Sequence, residues 1–392
     1  MSYRKLKADY LFDGYNMLPS GSVLVCRQDG MIEDIVNEDQ VDGDLEKFPG
    51  MIVPGLINCH CHLELSHLKA VIPEKQGLIN FVLSVMSQRY QTFHLKEEQI
   101  LTAENNMLNT GIVALGDICN TADTGAAKQA KLLSYYNFIE IFGWVPDQAT
   151  TRYEAGKKLA ASFIDMGFDK NHLSLNPHAP YSVSDRLWNL MKQDFKNKTI
   201  TIHNQESAAE NEYFTSGTGD LARMYGQMKM DTSHFKVPGC RSLPYILSRL
   251  QDAGQILLVH NTYTDETDLI KITGLNKRVF LCLCPNANLY IEDKLPDVPL
   301  FVKHNSLIVL GTDSLASNHQ LSILEEMKTI KKAFSCITTS EMLVWATSNG
   351  AKALAFEDKL GDFTRGKKPG VVLLENITDG EITRQSTSRR LL

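Results

Sequence analysis

The chain has 392 residues, 43% hydrophobic and 22% charged, which suits a globular protein with one large domain and an appendage, or with two domains. A formal charge of −6 and the lack of long basic runs give no electrostatic footprint for nucleic acid or anionic lipid. No apolar stretch approaches the roughly 20 residues of a membrane helix, and Met1 to Tyr10 is polar, unlike a secretory leader, so the expected location is cytoplasmic.

From the N-terminus, short strand patterns cover Lys5 to Phe12, Gly21 to Arg27, Met31 to Asn37 and Phe48 to Val53. Gly14, Pro19-Ser20-Gly21, Asp29-Gly30 and Asp42-Gly43 punctuate them as hairpins require. From residue 55 the rhythm changes to strand then helix. The first strand runs into Asn58-Cys59-His60-Cys61-His62. Gly111 to Cys119, Tyr135 to Trp144, His172 to His178, Lys198 to His203, Gln255 to His260, Arg278 to Cys284 and Ser306 to Thr312 complete a set of eight. Helical patterns lie between them, as over Gly77 to Arg89, Leu95 to Asn109, Tyr153 to Met166, Ser184 to Asp194 and Leu243 to Ala253. Ser184 reads as a helix N-cap. Short, mainly apolar strands alternating with helices predict an α/β fold, a (β/α)8 barrel over residues 55–360. Asn204 to Arg241, rich in Gly, Met and Thr, interrupts the rhythm and is expected to cover the mouth. Leu321 to Phe334 and Ser340 to Ala355 read as closing helices. Strand character returns at Val371 to Glu375, so residues 361–392 are expected to join residues 1–54 in a small β-sandwich.

The eight cysteines lie scattered, several within apolar strands. They read as reduced, buried thiols, since the one-residue spacing of Cys59/Cys61 and Cys282/Cys284 is too short for a usual zinc pair.

Strand ends carry the chemistry. Residues two apart on a strand share a face, so His60 and His62 can aim at one point, although a His-x-His pair alone is more often a surface turn than a metal site. His178 ends the fourth strand, His203 the fifth and His260 the sixth, and Asp313 follows the eighth. In a barrel all of these ends open on one face, where active sites are built. His67, His94, His172, His234, His304 and His319 fall elsewhere and receive no role.

The stretches Pro-Gly-Leu-Ile-Asn-x-His60-x-His62-Leu, His203-x-x-Glu206, Val-His260-Asn and Gly-Thr-Asp313-Ser-x-x-Ser317-Asn318 resemble, in this order and almost end to end, the amidohydrolase superfamily. The match is closest to its deaminase and chlorohydrolase branch. The resemblance implies a distorted (β/α)8 TIM barrel with a β-sandwich from both termini. It also implies one divalent metal ion on His60, His62, His203 and Asp313. Zinc is the default, and iron or manganese accept the same donors. Two-metal relatives need a carboxylated lysine at the fourth strand's end; Asn176-Pro177-His178 stands here instead.

Such a metal activates water at neutral pH. Asp313 is then expected to take the water's proton, His260 to orient the nucleophile, and Glu206 to protonate a ring nitrogen, with ammonia leaving. Glu206 also suits a helix N-terminus as a dipole-stabilising carboxylate. His178, Asn288 and Ser317 are expected on the substrate. Cys284-Pro285-Asn286-Ala287-Asn288 departs from the Cys-Pro-Arg-Ser-Asn of many relatives and lacks its arginine. Leu63-Glu64-Leu65-Ser66-His67-Leu68 looks like members assigned to aminodeoxyfutalosine deamination, which makes Glu64 either a substrate contact or a helix-start carboxylate. The expected substrate is a small molecule, an adenine nucleoside derivative of aminodeoxyfutalosine, adenosylhomocysteine or methylthioadenosine type. Guanine deamination and chlorotriazine hydrolysis stay open. A catalytically silent scaffold is disfavoured because every ligand is present. Barrels of this branch often form homodimers.

Overall fold

The computed structural model describes residues 3–91 and 95–392; His94 lies outside them. Six strands form a sheet from both chain ends: β1 (Tyr3–Leu11), β2 (Ser22–Arg27), β3 (Ile32–Asn37), β4 (Glu46–Pro54) and, from the C-terminus, β13 (Val371–Glu375) and β14 (Thr387–Arg390). The order β14-β13-β4-β1-β2-β3 is hydrogen-bonded as one continuous sheet with a single parallel pair, β1 with β4. Leu6, Leu24, Ile52, Phe363 and Leu373 build a small core on it. Met51, Val53, Val372 and Leu374 join the main core with Met107 and Ile112. The terminal sheet is thus wedded to the larger body by apolar packing, which depends on area buried rather than on direction.

That larger body holds β5 (Leu56–Cys61), β6 (Ile112–Cys119), β7 (Ser134–Ile141), β8 (Leu173–Pro177), β9 (Thr199–Asn204), β10 (Gln255–His260), β11 (Val279–Leu283) and β12 (Leu307–Leu310). Every residue of β5, β6, β8 and β9 is buried, as parallel strands covered on both faces must be. The strands pair as two parallel four-stranded sheets, β5-β6-β7-β8 and β9-β10-β11-β12. Two seams close them into the distorted barrel. At one, the N–H groups of Thr312 and Asp313 donate to His60 O at 3.0 and 3.1 Å. At the other, His203 N–H donates to His178 O at 2.9 Å and Thr201 N–H to Asn176 Oδ1 at 3.0 Å.

Three local expectations change. The interval 204–241 folds into helices Ala208–Ser216 and Asp220–Gln227, separated where Gly217 takes a left-handed φ of 75° to end the first. The final helical stretch splits into Thr339–Ala346 and Ser348–Ala353 at Thr347, whose ψ of −90° lies outside the helical region. Ser184 occupies the N-cap position of helix Asp185–Met191, but its Oγ makes no capping bond. No helix among the described residues is long and apolar enough to cross a membrane.

Gly116 lies on β6 beside the register shift in its parallel pairing with β5, and a Cβ there would stand 2.3 Å from Cys59 O. Gly116→Ala is therefore expected to destabilise the protein by about 1–3 kcal/mol. Gly226→Ala, with nothing within 4 Å of the added atom, is expected to lose nothing. Urea midpoints of the two variants check this.

Candidate active site

At the seam mouth, β5 delivers His60 and, one residue past its end, His62. Their Nε2 atoms lie 3.5 and 3.4 Å from the same oxygen, Asp313 Oδ1. Asn58 fixes the approach: its Nδ2 donates to Thr312 Oγ1 at 2.7 Å and its Oδ1 accepts from Thr312 N at 3.2 Å. His203 and His260 complete the ring, with His203 Nδ1 3.1 Å from His260 Nε2. Glu206 stands over this pair, 3.6 Å from His260 Nε2 and 3.9 Å from His203 Nδ1. The sequence-predicted ligands His60, His62, His203 and Asp313 therefore meet with Glu206 and His260, all buried.

The backbone is bent to achieve this. Gln205, His260, Asn261 and Asp313 take positive φ of 47°, 72°, 57° and 55°. Such residues cost about 1–3 kcal/mol each and persist where surrounding bonds over-determine them. Here Asn261 N–H donates to Asn204 O and Asn204 Nδ2 donates to Asn261 Oδ1, both at 3.0 Å.

Electrostatics favour a cation-binding set. Burial pushes the imidazoles of His60 and His62 down to about 4 and that of His203 down to about 3, so all three are neutral near pH 7. For Asp313, burial acts to raise the carboxyl, but His60, His62 and His260 outweigh it and hold it well below the usual range. Burial, reinforced by Asp313 and Glu292, pushes the Glu206 carboxyl well up, which keeps a proton there. Both ring nitrogens of His60 are buried without a hydrogen-bond partner. Three neutral imidazoles and one carboxylate with unused lone pairs are the donor set of a divalent metal, and groups of these residues lie close enough to share one.

A cavity of about 410 Å³ opens over this cluster. Its inner wall has His62, Glu140, His178, His203, Glu206 and Asp313. Its outer wall is mainly apolar, with Phe81, Val85, Met86, Trp144, Met224 and Met228 among its residues, and also carries Arg89 and Arg152. The 204–241 interval thus covers part of the mouth, as expected, and Tyr225 stacks on Trp144 with centroids 4.9 Å apart. His178 lines the cavity, its Nδ1 2.9 Å from Ser182 Oγ.

Three residues expected on the substrate lie one layer behind the wall instead. Glu64 Oε2 accepts from Asn120 N, Thr121 N and Thr121 Oγ1 at 2.9–3.0 Å, and Oε1 faces Arg89 at 3.3 Å. This carboxylate is consumed by loop-tying, because the turn after His62 directs it into the protein. Asn288 Oδ1 is 2.8 Å from His260 Nδ1, so the amide serves the histidine. Ser317 Oγ donates to Asp313 Oδ2 at 2.5 Å, leaving Oδ1 for the mouth. Sequence reasoning missed Glu140, Asn120 and Arg152. Glu140, a lone acid near the end of the apolar run Phe138-Ile139-Glu140-Ile141, carried the same strand-end signal as the histidines.

A family model described as the amidohydrolase family matches residues 51–386. An aminodeoxyfutalosine deaminase of a Nitratiruptor species is 25% identical over 369 residues, 86% of this chain and 84% of the relative. The crystal structure of Helicobacter pylori aminofutalosine deaminase in complex with methylthio-coformycin superposes with a TM-score of 0.83 at 21% identity, over 97% of this chain and 93% of the other. An adenosine deaminase from Xanthomonas campestris with bound zinc gives 0.70 at 20% identity, over 95% and 84%.

Because Glu64 ties the Asn120–Thr121 loop to Arg89, Glu64→Ala leaves several donors unsatisfied, each costing about 1–3 kcal/mol. A large drop in the unfolding midpoint is expected. A raised KM with unchanged stability would return Glu64 to the substrate.

Proposed function

We propose, from the premise that this chain belongs to the amidohydrolase family, that it is a hydrolytic deaminase of an adenine nucleoside carrying a bulky 5′ group. The observation that carries this reading is the meeting of His60, His62, His203, His260, Asp313 and Glu206 beneath a cavity whose outer wall is mainly apolar. His60, His62, His203 and Asp313 would hold one divalent metal, with zinc the first choice. When bound, that ion supplies Lewis-acid polarisation and lowers the pKa of water toward neutrality.

The chain's own groups do the rest. Ser317 engages Asp313 Oδ2, so Oδ1 is the atom positioned to take the proton of the attacking water. Asn288 Oδ1 accepts from His260 Nδ1, which assigns the proton to that nitrogen and leaves Nε2 turned toward Glu206 and the reacting centre. Glu206 holds a proton in a dry site and gives it to the ring nitrogen beside the attacked carbon. A carbon–oxygen bond forms, the carbon–nitrogen bond breaks, the amine leaves as ammonia with the proton first taken by Asp313, and the remaining proton of the attacking water returns to Glu206 as the carbonyl forms.

Substrate size follows from the outer wall. Phe81, Val82, Val85, Met86, Met224 and Met228 lie beyond the reacting end, and Met side chains adapt to irregular apolar shapes. Arg152, in the same wall, packs on the Phe142 ring at 5.4 Å and donates to Gln148 Oε1 at 3.4 Å. A 5′ substituent with an apolar body and an acidic tip matches both features. The names of two relatives, an aminodeoxyfutalosine deaminase and an adenosine deaminase, support the same substrate class.

Glu206→Gln keeps shape but cannot give up a proton. Its kcat for deamination is expected to fall about 10²–10⁴-fold, with KM little changed and metal content intact. An unchanged kcat in steady-state ammonia release contradicts the assignment.

A further inference from the structure

A lysine is an unexpected residue in a protein core, yet Lys128, on the short helix Gly125–Gln129, is fully buried. Its Nζ lies 2.6 Å from Asp117 Oδ2, and neither side chain has exposed surface. The other two ammonium hydrogens also have acceptors, Asn137 Oδ1 at 2.7 Å and Cys119 Sγ at 3.3 Å. The rings of Tyr135 and Phe163 flank the cation at 5.1 and 4.9 Å. Taking two charges out of water is costly, and apolar side chains in place of such a pair are often neutral or stabilising. Stability alone does not account for this one.

The second oxygen of the carboxylate shows what the pair serves. Asp117 Oδ1 accepts the peptide N–H of Leu63 at 2.9 Å. That N–H belongs to the peptide unit leaving His62, and the ψ of His62 sets where it points. His62 has φ −105° and ψ 76°, a ψ between those of strand and helix. The carbonyl of the same unit, His62 O, accepts from Leu65 N–H at 3.0 Å. Both polar ends of one peptide plane are thus held. On its other side His62 follows Cys61, which pairs in register with Asp117 of β6. With both flanking peptides fixed, the Cβ of His62 has one direction, and its Nε2 comes 3.4 Å from Asp313 Oδ1.

We propose that Asp117 is a positioning residue, which aims His62 at the metal by holding the peptide N–H of Leu63, and that Lys128 supplies the opposite charge this carboxylate needs in a dry core. The proposal rests on the metal-site reading and adds two residues outside the ligand motifs. A ligand whose backbone can swing loses the preorganisation that a tetrahedral donor set requires. Loss of a group that orients a metal ligand typically weakens metal binding 10- to 100-fold.

The test compares two charge-free replacements of the pair in the full-length chain. Asp117→Asn with Lys128→Met keeps an oxygen for Leu63 N–H, whereas Asp117→Leu with Lys128→Met removes it. A third protein keeps Asp117 and Lys128 but carries an ester in place of the Leu63 peptide N–H. Zinc retention is measured against a competing chelator, on protein shown to be folded by its urea transition. Expected is a hold about 10-fold weaker than the parent's in the Asp117→Leu pair and in the ester, with the Asp117→Asn pair close to the parent. The visible ligand-field bands of the cobalt(II)-loaded proteins should shift in the first two and not in the third. If the Asp117→Leu pair does not fold, the ester decides. Parent-like retention and unshifted bands in the ester, or equal losses in both double variants, overturn the proposal in favour of a purely structural ion pair. A parent chain that binds no zinc overturns the metal-site reading beneath it, so the two failures are told apart.

Discussion

The peptide N–H groups of Thr312 and Asp313 share one acceptor, His60 O, and the mouth of the barrel depends on that shared carbonyl. It joins residues separated by most of the chain, so the barrel must close before the site exists. Asn58 reinforces it by bonding Thr312 through both side-chain atoms. With the seam in place, two histidines from the first strand and the aspartate after the eighth reach a common point. Without it, either half-sheet would hold an incomplete ligand set. The second seam, His203 N–H to His178 O, brings the remaining histidines into the same space.

A dense group of ionisable side chains in a dry site is costly unless its charges are limited and its polar atoms satisfied. The structure meets this in two ways. Burial keeps His60, His62 and His203 neutral near pH 7, and Asp313, facing His60 and His62, lies well below the usual carboxylate range, so the site carries few charges. Behind them a second layer fixes direction: Ser317 on Asp313, Asn288 on His260 and Ser182 beside His178. Preorganised groups of this kind need no rearrangement as charge develops. The same layer explains why residues near a site need not touch substrate.

The frame was legible in the sequence because parallel barrel strands are apolar throughout, and a polar residue at their ends is conspicuous. His60, His178, His203 and His260 stand out for that reason, and Asp313 for its Gly-Thr-Asp-Ser setting. What could not be read was direction. Whether Glu64, Asn288 and Ser317 point into the cavity or behind it is decided by turn geometry and by partners from other strands. Helix Ala208–Ser216 was hidden by a weakly periodic apolar pattern, and Asp220–Gln227, although amphipathic, by its shortness and the glycines before it. Glu140 was overlooked for a different reason: acids within β-rich runs usually mark a solvated face, and here that face lines a cavity.

The central claim is that these side chains hold one divalent ion and with it deaminate a 5′-substituted adenosine. Its most direct measurement is ammonia release from adenine, guanine and triazine compounds, including adenosines with and without an acidic 5′ tail. The protein should be assayed as prepared, after metal stripping, and after restoring zinc, with metal content counted per chain. The account predicts one ion per chain and release from a 5′-substituted adenosine that vanishes on stripping and returns with zinc. Release that survives complete stripping, or a fully loaded chain that frees ammonia from none of the compounds, would contradict it.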